Sequence, residues 1–263
     1  MALITLLTDF GLQDGFPAVM KGVIWNITPQ VLIVDISHGI SPQQVMQAAL
    51  LLGRCAPYFP SGTIHVGVVD PGVGTSRRAI AAQLGEQFFV GPDNGLITLL
   101  LERAENNHQE ISFVKLDKPA FWLPDVSKTF HGRDIFAPVA AYLAMGISLE
   151  QIGSTMSDPK RLTIPQPRRT THGWLGQVIY IDHFGNLSTN IQAKDLESST
   201  AVMTTIKGVQ ISGMATAFGE YPSDKPIVLI DSSGALAISV VNGSAAKLLN
   251  SKLGDQVEVL IKI

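Results

Sequence analysis

The feature that most constrains the fold is a polar loop, VDPGVGTSRR at residues 69–78, that directly follows a buried apolar strand at 63–69. A carboxylate, Asp70, stands where the strand stops. A proline and two glycines then turn the chain sharply, because proline ends the hydrogen-bond ladder and glycine permits positive φ. Arg77 follows within ion-pair reach of Asp70. Open α/β sheets bind ligands at the carboxyl ends of their strands, so the loop indicates either such a site or a structural Asp that caps the turn.

The composition is that of a globular protein. The chain has 263 residues, of which 46% are hydrophobic and 16% charged, and this allows a sizeable core in one large domain or two ordinary ones. The net charge of −3 predicts no nucleic-acid partner. The single cysteine, Cys55, excludes an intramolecular disulfide and offers no cysteine cluster for a metal. The N-terminal stretch has no basic region of the signal-peptide type, and no apolar run approaches the roughly 20 residues that span a bilayer. We therefore expect a cytoplasmic protein with no membrane partner.

Strands and helices alternate along the first part of the chain. Apolar runs predict strands at 3–7, 31–36, 63–69 and 111–116, and a strand pair at 78–84 and 87–90. Helical spacing predicts helices at 15–27, 41–52, 96–102 and 135–144. Ser41 is the predicted N-cap of the second helix, and Asp134 that of the fourth. This alternation predicts a mostly parallel sheet with helices on both faces.

The pattern changes at a stretch rich in proline and arginine, which we interpret as an interdomain linker. Its basic residues have no aromatic residues between them, which favours a solvated linker over a nucleic-acid patch. Beyond it, short strands are predicted at 174–181, 201–206, 209–211, 226–230, 235–241 and 256–263, with one short helix at 245–249. The predicted organisation is an N-terminal α/β domain at 1–156, a linker at 157–171, and a smaller all-β domain, barrel-like or sandwich-like, at 172–263.

Polar clusters follow the predicted strands in both domains. They are Asp9, Asp70 with Arg77, the run TFHGRD at 129–134, the run DHFGNLSTN at 182–190, and DSSG at 231–234. The chain has no dinucleotide or Walker glycine motif, and its histidines and aspartates lack the spacing of a zinc site, so we expect no metal. Each cluster alone is more often turn chemistry than function. Together they predict a ligand site in a cleft, at a domain or subunit interface.

Six motifs occur in one order along the chain: TDFG at 8–11, DPGVG at 70–74 with Arg77 after it, GPDNG at 91–95, TFHGRD at 129–134, DHFGN at 182–186 and NGSAA at 242–246. Together they resemble the S-adenosyl-L-methionine hydroxide adenosyltransferases, which are relatives of the fluorinating and chlorinating enzymes that attack the same substrate. The resemblance covers nearly the whole chain. It implies an N-terminal α/β domain, a C-terminal β domain and a homotrimer with sites between subunits. The implied reaction is displacement of methionine from C5′ of the adenosyl group by water, which yields adenosine and L-methionine without a cofactor.

The resemblance also assigns roles in the N-terminal domain. The family's catalytic Asp, Arg and His fall on Asp70, Arg77 and His131. Water is a poor nucleophile that must be held in line with the C–S bond, so Asp70 would orient it or accept its proton. Arg77 would hold the Asp70 carboxylate, and His131 would bind the water from another side. Asp9 would accept hydrogen bonds from both ribose hydroxyls, and Asn186 of the second domain offers a donor and an acceptor to the adenine edge.

The remaining implied contacts lie in the C-terminal domain. Phe184 and Phe218 are candidates to stack on adenine, and either could belong to the core instead. Asp182 suits the methionine ammonium group, and Ser232 suits the carboxylate. The backbone near Val240 either reaches the substrate or pairs within its strand.

The chain departs from the halogenating relatives at informative positions. Those relatives carry Tyr where this chain has Asp70, and a carboxylate beside the nucleophile would repel a halide. Asp231 and Ala237 stand where an Asn and often an acidic residue are expected. The leading hypothesis is therefore hydrolysis of S-adenosyl-L-methionine, possibly of its R-sulfonium epimer. The alternatives are a sensor that binds adenosine or S-adenosylmethionine without turnover, and a halide adenosyltransferase.

Overall fold

A computed structural model describes residues 2–196 and 201–262 of the chain. It divides into two compact units, Met1–Leu162 and Thr163–Ile263. This boundary falls inside the stretch interpreted as a linker. Within that stretch, Lys160 and Arg161 are bonded to Asp93 and Glu105 of the first unit. Among the described residues, the longest helix has 12 residues, and no helix combines the length and hydropathy that a membrane crossing requires.

The first unit is built on a seven-stranded sheet whose strands follow the order β2-β1-β3-β5-β4-β6-β7. The strands are β1 (Leu3–Thr8), β2 (Leu32–Ser37), β3 (Ile64–Val68), β4 (Ala79–Leu84), β5 (Gln87–Pro92), β6 (Ile111–Lys115) and β7 (Ser154–Met156). The pairs among β2, β1, β3 and β5 are parallel. The pairs β5–β4, β4–β6 and β6–β7 are antiparallel. The prediction of a mostly parallel sheet was wrong for the half of the sheet in which β5, β4, β6 and β7 pair. There β4 and β5 form a hairpin with no crossover helix between them.

Helices cover both faces of this sheet, as predicted. They are α1 (Phe16–Ile27), α2 (Val45–Cys55), α3 (Thr98–Asn106), α4 (Ala137–Ala144) and α5 (Leu149–Ile152). One apolar cluster joins α1, α4 and α5 to the sheet, for example through Met20, Ile24 and Phe136. A second cluster joins α2 and α3 to it, for example through Leu52 and Leu100. The apolar spacing thus predicted α1, α2, α3 and α4, although Val19 of α1 is 44% exposed. Helix α5 was not predicted.

Two predicted N-caps were wrong, and both lie in segments that line the cavity described below. Ser41 does not cap α2, because residues 41–44 form a turn in which Gln43 has a positive φ of 66° and the helix begins only at Val45. Asp134 does not cap α4 either. It lies inside a π-helical turn, Gly132–Phe136, that precedes α4, and its carboxylate is used in tertiary contacts. The start of α3 also lies two residues later than predicted.

The second unit is an antiparallel eight-stranded sheet that curls toward a barrel. Its strands are β8 (Arg168–Thr170), β9 (Gly173–Ile181), β10 (Leu187–Gln192), β11 (Ala201–Ile206), β12 (Val209–Ser212), β13 (Pro226–Ile230), β14 (Ala235–Val240) and β15 (Gln256–Lys262), and the short helix α6 is Ala245–Leu248. The main order is β12-β11-β15-β9-β10-β14-β13, and β8 pairs with β9. The two ends approach each other where the Ala215 N–H donates to the Val228 carbonyl at 2.7 Å. Strands β8 and β10 were not predicted. Ile263, at the end of the last predicted strand, lies outside the described residues.

Candidate active site

The carboxyl ends of β1 and β3 place two of the predicted carboxylates side by side. These strands are parallel neighbours, with Thr8 in register with Val68, so the residues that follow them emerge at the same edge of the sheet. Asp9 and Asp70 both line one cavity of about 410 Å³ at this edge. This is the position at which open α/β sheets bind ligands. The cavity is lined by residues of the first unit only: Asp9, Phe10, Phe16, Pro42, Gln43, Val68, Asp70, Pro71, Val73, Thr129, Phe130, His131 and Gly132.

The loop after β3 is a tight structure that returns Arg77 to Asp70. Its turns are closed by the Val73 N–H donating to the Asp70 carbonyl at 3.2 Å and by the Thr75 hydroxyl donating to the Gly72 carbonyl at 2.6 Å. Gly74 has a φ of +74°, and a Cβ at this position would lie 2.2 Å from the Lys128 carbonyl oxygen. Only glycine therefore allows the loop to pack against the segment that carries His131.

Arg77 and Asp70 form a buried ion pair. Nε of Arg77 lies 2.9 Å from both carboxylate oxygens of Asp70, and Nη2 donates to Oδ2. The two side chains are only 7% and 5% exposed. The guanidinium also lies over the ring of Phe136, 5.3 Å from its centroid. Several charge-assisted hydrogen bonds from one rigid guanidinium fix the orientation of the carboxylate.

His131 joins this pair through Arg77. Nη2 of Arg77 lies 2.8 Å from Nδ1 of His131. A guanidinium can only donate, so Nδ1 of His131 must accept and the ring proton of the neutral imidazole must reside on Nε2. Burial and the neighbouring Arg77 charge lower the pKa of His131 below its ordinary value of 6.5, against the opposite effects of Asp70 and Asp134. The site thus holds a carboxylate acceptor and a neutral imidazole donor in one cluster.

The segment that carries His131 is braced by the buried carboxylate of Asp134. Oδ2 of Asp134 accepts from the Ser127 N–H at 2.8 Å, and Oδ1 accepts from Nε of Arg133 at 2.5 Å. The Ser127 hydroxyl accepts in turn from the Phe130 N–H at 3.0 Å. The bonds to the Ser127 N–H and to the Arg133 guanidinium lower the energetic cost of a fully buried carboxylate. In the TFHGRD motif, therefore, His131 faces the cavity and Asp134 holds the backbone that presents it.

The GPDNG motif at 91–95 supports the same edge from behind. Nδ2 of Asn94 donates to the Val69 carbonyl at 2.8 Å, next to Asp70. The buried carboxylate of Asp93 accepts from Nε of Arg78 at 2.8 Å and from the Lys160 N–H at 2.7 Å. This motif fixes the end of β3, and neither Asp93 nor Asn94 lines the cavity.

Asp9 is held from the opposite side of the cavity. Its Oδ2 accepts from the Gln43 N–H at 2.8 Å. Three aromatic rings close this side: Phe10, Phe16 and Phe130 meet edge to face, with centroids 5.3–5.8 Å apart. An apolar wall opposite a charged cluster is the usual composition of a small-molecule site.

Sequence reasoning missed Gln43 and the aromatic wall. Phe10 and Phe130 directly precede or follow predicted residues and could have been included on that ground. Gln43 carried no sequence signal, because its role depends on a left-handed backbone in a turn that was predicted to be helix.

The second unit brings three of the predicted binding residues into one turn. Oδ1 of Asp182 accepts from the Asn186 N–H at 2.8 Å, and Oδ2 accepts from Nδ2 of Asn186 at 2.7 Å. Phe184, between them, is 73% exposed. The remaining three predicted residues lie on other elements.

Of those three, Phe218 begins a short 3₁₀ turn and is 45% exposed. Ser232 is exposed in the turn between β13 and β14. Val240 ends β14, where its side chain is 4% exposed within the core and its backbone pairs with Pro226. The neighbouring Asp231 is engaged locally, since it accepts from the hydroxyls of Ser188 and Ser233 at 2.7 and 2.6 Å.

No group of three or more histidine, cysteine, aspartate or glutamate side chains in the part of the chain that the structure describes could hold a metal ion. His38 and His65, which are far from the other histidines in sequence, are bonded to β1 instead. His65 Nδ1 lies 2.8 Å from the Thr5 hydroxyl, and His38 Nδ1 lies 2.8 Å from the Thr8 hydroxyl.

Comparisons with known proteins agree with this geometry over nearly the full length. The models of the SAM (S-adenosyl-L-methionine) hydroxide adenosyltransferase N-terminal and C-terminal domains match residues 4–153 and 176–258. An (R)-S-adenosyl-L-methionine hydrolase from Salinispora tropica is 39% identical over 97% of this chain and 97% of its own. Its namesake from Thermus thermophilus is 39% identical over 99% and 100%.

A more distant relative and a solved structure also match this chain over nearly its full length. A fluorinase from Actinoplanes sp. is 28% identical over 98% of this chain and 97% of its own. The crystal structure of an uncharacterized conserved protein from Thermotoga maritima superposes with a TM-score of 0.90 at 36% identity, covering 98% and 99% of the two chains. With both domain models matched in order and full-length relatives near 40% identity, the chain belongs to the SAM hydroxide adenosyltransferase family.

Proposed function

We propose that this chain hydrolyses S-adenosyl-L-methionine to adenosine and L-methionine, and that its substrate is the R-sulfonium epimer. The observation that carries the proposal is the buried cluster of Asp70, Arg77 and His131 at a cavity that Asp9 also lines. Full-length relatives near 39% identity that are named (R)-S-adenosyl-L-methionine hydrolase support both the reaction and the epimer.

The reaction requires one nucleophile and one proton acceptor. The oxygen of water forms a bond to C5′, the C5′–S bond breaks, and its electron pair leaves with sulfur as the neutral thioether of methionine. The proton released by the water passes to the Asp70 carboxylate and from there to solvent. Because the sulfonium leaves as an uncharged group, the departing sulfur needs no acid. We therefore propose that the reaction proceeds without a metal or cofactor.

Asp70 is the proton acceptor, since the other two members of the cluster can act only as donors, and of these only His131 lines the cavity. Arg77 has no lone pair to offer, and the Nδ1 lone pair of His131 is taken by Arg77. His131 carries its ring proton on Nε2, and we propose that this N–H, which also interacts with the Ser127 backbone, donates to the oxygen of the attacking water and fixes its position. Arg77 holds the carboxylate and the imidazole at a constant mutual distance, so the water is bound between partners that do not need to reorganise.

Binding of the rest of the substrate follows the predicted assignments. Asp9 retains acceptor capacity beyond its bond from Gln43 and accepts from the ribose hydroxyls. In a proposed homotrimer with sites at subunit interfaces, the second unit contributes Asp182, Phe184, Asn186, Phe218, Ser232 and Val240 to the adenine and methionine ends. Analytical ultracentrifugation tests the trimer directly. The single cysteine suits a reducing compartment, and we keep the cytoplasm as the proposed location.

Halide adenosyltransfer is the alternative raised by the fluorinase relatives. It is disfavoured by the position of Asp70, because a halide entering the cavity would approach a carboxylate that lines it and would be repelled by the like charge. A sensor that binds without turnover would not need a water-activating cluster.

The deciding experiment incubates the pure protein with each sulfonium epimer, with and without added chloride or fluoride, and separates the products by chromatography. We expect adenosine and methionine in equal amounts from the R epimer, in the presence or absence of halide, and none from heat-denatured protein. A halogenated nucleoside that appears only with halide would establish the transferase instead. Intact substrate with tightly bound adenosine would establish the sensor.

A further inference from the structure

Two loops enclose Asp9 and are joined by three hydrogen bonds. The first loop, residues 8–11, follows β1, and the second, residues 38–43, follows β2. The Gly11 N–H donates to the His38 carbonyl at 2.8 Å, and the Thr8 hydroxyl lies 2.8 Å from Nδ1 of His38. The third bond is from the Gln43 N–H to Asp9 itself. His38 thus binds the chain on both sides of Asp9.

The hydrogen bonds around His38 have a single consistent proton order. Nε2 of His38 lies 3.0 Å from Oδ1 of Asp35 without the geometry of a hydrogen bond, and the negative charge of the carboxylate favours the ring proton on this nitrogen. Nδ1 is then the acceptor for the Thr8 hydroxyl. The Thr8 oxygen is free to donate its proton because it accepts separately from the Phe10 N–H at 3.2 Å. The series runs from Asp35 through His38 and Thr8 to the backbone that flanks Asp9.

The ring of His38 is buried and takes no part in lining the cavity. His38 is 5% exposed and Thr8 is fully buried. Neither residue lines the cavity that contains Asp9 and Asp70. The hydrogen bond between Thr8 and Nδ1 of His38 is buried, and a buried hydrogen bond restricts its two partners to one arrangement. Its effect on a ligand must therefore be transmitted through Asp9.

We propose that His38 is a positioning residue that holds Asp9 in the orientation that receives the two ribose hydroxyls of the substrate. This inference rests on the proposed function, in which Asp9 binds ribose. It adds a residue that does not touch the substrate and that none of the six motifs contains. Asp35 fixes the ring of His38, and Lys21 holds Asp35 through a bond of 2.5 Å.

The chain provides a matched control in His65. Like His38, His65 is buried, and its Nδ1 lies 2.8 Å from the hydroxyl of a threonine of β1, Thr5. His65 lies on β3 and does not line the cavity. His38→Ala and His65→Ala therefore each remove a buried imidazole bonded to a threonine of β1, and only the first lies next to Asp9. If His38→Ala does not fold, Thr8→Val removes the hydroxyl of the same network and keeps the side-chain shape.

The test measures the affinity for adenosine by calorimetry, and KM and kcat for hydrolysis by steady-state kinetics. Each His38 variant is measured both with the native Asp9 and combined with Asp9→Asn. We expect His38→Ala to weaken adenosine binding and raise KM about tenfold, with kcat changed by less than about threefold. In the Asp9→Asn background, His38→Ala should change the adenosine affinity and KM by less than about twofold, because the residue through which His38 acts is already altered. His38→Asn keeps an acceptor near the Nδ1 position and should restore most of the affinity. His65→Ala should leave both KM and adenosine affinity within about twofold of wild type.

Two results overturn the inference. One is an equal loss of affinity in both backgrounds, which would show that His38 acts independently of Asp9. The other is a loss of kcat with KM unchanged, which is the result expected when a variant merely lowers the folded fraction. The proposed function fails separately: if wild-type protein binds adenosine but hydrolyses neither epimer, hydrolysis is excluded and the affinity cycle still decides the role of His38. If wild-type protein neither hydrolyses nor binds adenosine, both proposals are overturned.

Discussion

Arg77 donates a hydrogen bond from Nη2 to Nδ1 of His131, across 2.8 Å, while the same guanidinium holds Asp70. This one contact determines the tautomer of His131 and, with it, the direction in which each group of the cluster can act. A protonated His131 would direct an N–H at the guanidinium, with two positive charges at hydrogen-bond distance. The arrangement therefore disfavours the imidazolium form and lowers the pKa of His131, for which burial is the larger cause and the Arg77 charge the second.

The first prediction concerns the pH dependence of hydrolysis. A lowered pKa means that His131 stays neutral down to a pH below 6.5, so kcat/KM should be independent of this group above pH 6.5. As the pH falls further, His131 gains a proton, the bond from Arg77 is lost, and kcat/KM should fall tenfold per pH unit. Steady-state rates between pH 4.5 and 8 measure this, and NMR titration of the His131 ring assigns the group.

A variant separates the two causes of the lowered pKa. Arg77→Gln removes the positive charge and keeps the burial, so the NMR midpoint of His131 should move upward, whether or not the variant is active. Arg161→Gln removes a guanidinium paired with Glu105 away from the cavity and should leave the midpoint in place. A midpoint that does not move in Arg77→Gln would contradict the assignment of Arg77 as a cause.

The second prediction tests Asp70 as the proton acceptor. Asp70→Asn keeps the shape and can still accept from Arg77, but an amide cannot take a proton from water. We expect hydrolysis to fall about 10²–10⁴-fold, the range for loss of a positioned general base. The change also leaves the buried Arg77 without its counter-charge, so the free energy of unfolding should drop by about 3–5 kcal/mol. Single-turnover rates and chemical denaturation measure the two effects separately.

Asp158→Asn is the matched control. Asp158 is an exposed carboxylate that is also paired with an arginine, Arg78, and it does not line the cavity. The same carboxylate-to-amide change there should alter the hydrolysis rate by less than about twofold and the free energy of unfolding by less than about 1 kcal/mol. Retained hydrolysis in Asp70→Asn at a normal folded fraction would sink the proposed mechanism.

Much of the fold was predictable because local patterns and tertiary structure agree. The apolar runs that predicted β1 and β3 are buried strands, and the carboxylates that follow them do emerge at one edge of the sheet. The contact between Asp70 and Arg77 was also predictable, because the two residues are close in sequence and a proline-glycine turn joins them.

The errors lie where a tertiary contact overrides a local preference. Ser41-Pro42 is a strong helix-start pattern, yet the helix starts later because the Gln43 N–H is used by Asp9, which is remote in sequence. Asp134 looks like an N-cap, but its carboxylate binds the Ser127 N–H in a π-helical turn. Strand β10 was missed because its alternation of Leu187, Thr189 and Ile191 is short and follows a polar motif.

The third prediction concerns the loop between Asp70 and Arg77. Gly74→Ala places a side chain at a φ of +74°, which costs about 1–2 kcal/mol, and drives its Cβ into the Lys128 carbonyl oxygen. The loop must therefore move away from the segment that carries His131, and the contact from Arg77 to His131 should lengthen. We expect hydrolysis to fall about tenfold or more in protein that is still folded, because a displacement of about 1 Å is enough to misplace the reacting groups.

Gly62→Ala provides the comparison at the other end of β3. Gly62 has a similar φ of +79° but no atom within 4 Å of an added Cβ. Gly62→Ala should lower the free energy of unfolding by about 1–2 kcal/mol, the cost of a side chain on a left-handed backbone, and should keep the hydrolysis rate of wild type. Denaturation and kinetics on the two variants measure this difference. Equal rates in Gly74→Ala and Gly62→Ala would show that the close approach to Lys128 does not position the site.

The last prediction concerns stability in acid and the buried His65. This ring is fully buried beside Phe59, and burial lowers its pKa from 6.5 to about 4. Between these two values the unfolded chain binds a proton at His65 and the folded chain does not, so the free energy of unfolding must fall as the pH falls from 6.5 toward 4. The shift corresponds to about 3 kcal/mol, lost by pH 4 and constant below it. Above pH 6.5 this contribution is fully present.

His65→Asn removes the titrating group and keeps an acceptor for the Thr5 hydroxyl. Its free energy of unfolding at pH 7.5 should be lower than that of wild type, because a buried ring is replaced by a smaller side chain. That difference should stay constant between pH 7 and 8. It should then shrink by about 3 kcal/mol as the pH falls to 4, because only the unfolded state of wild type is stabilised by a proton bound at His65. Urea denaturation at half-unit pH steps measures both curves. Curves that remain parallel down to pH 4 would show that His65 does not limit stability in acid, and that the acid sensitivity of the fold resides in its carboxylate pairs.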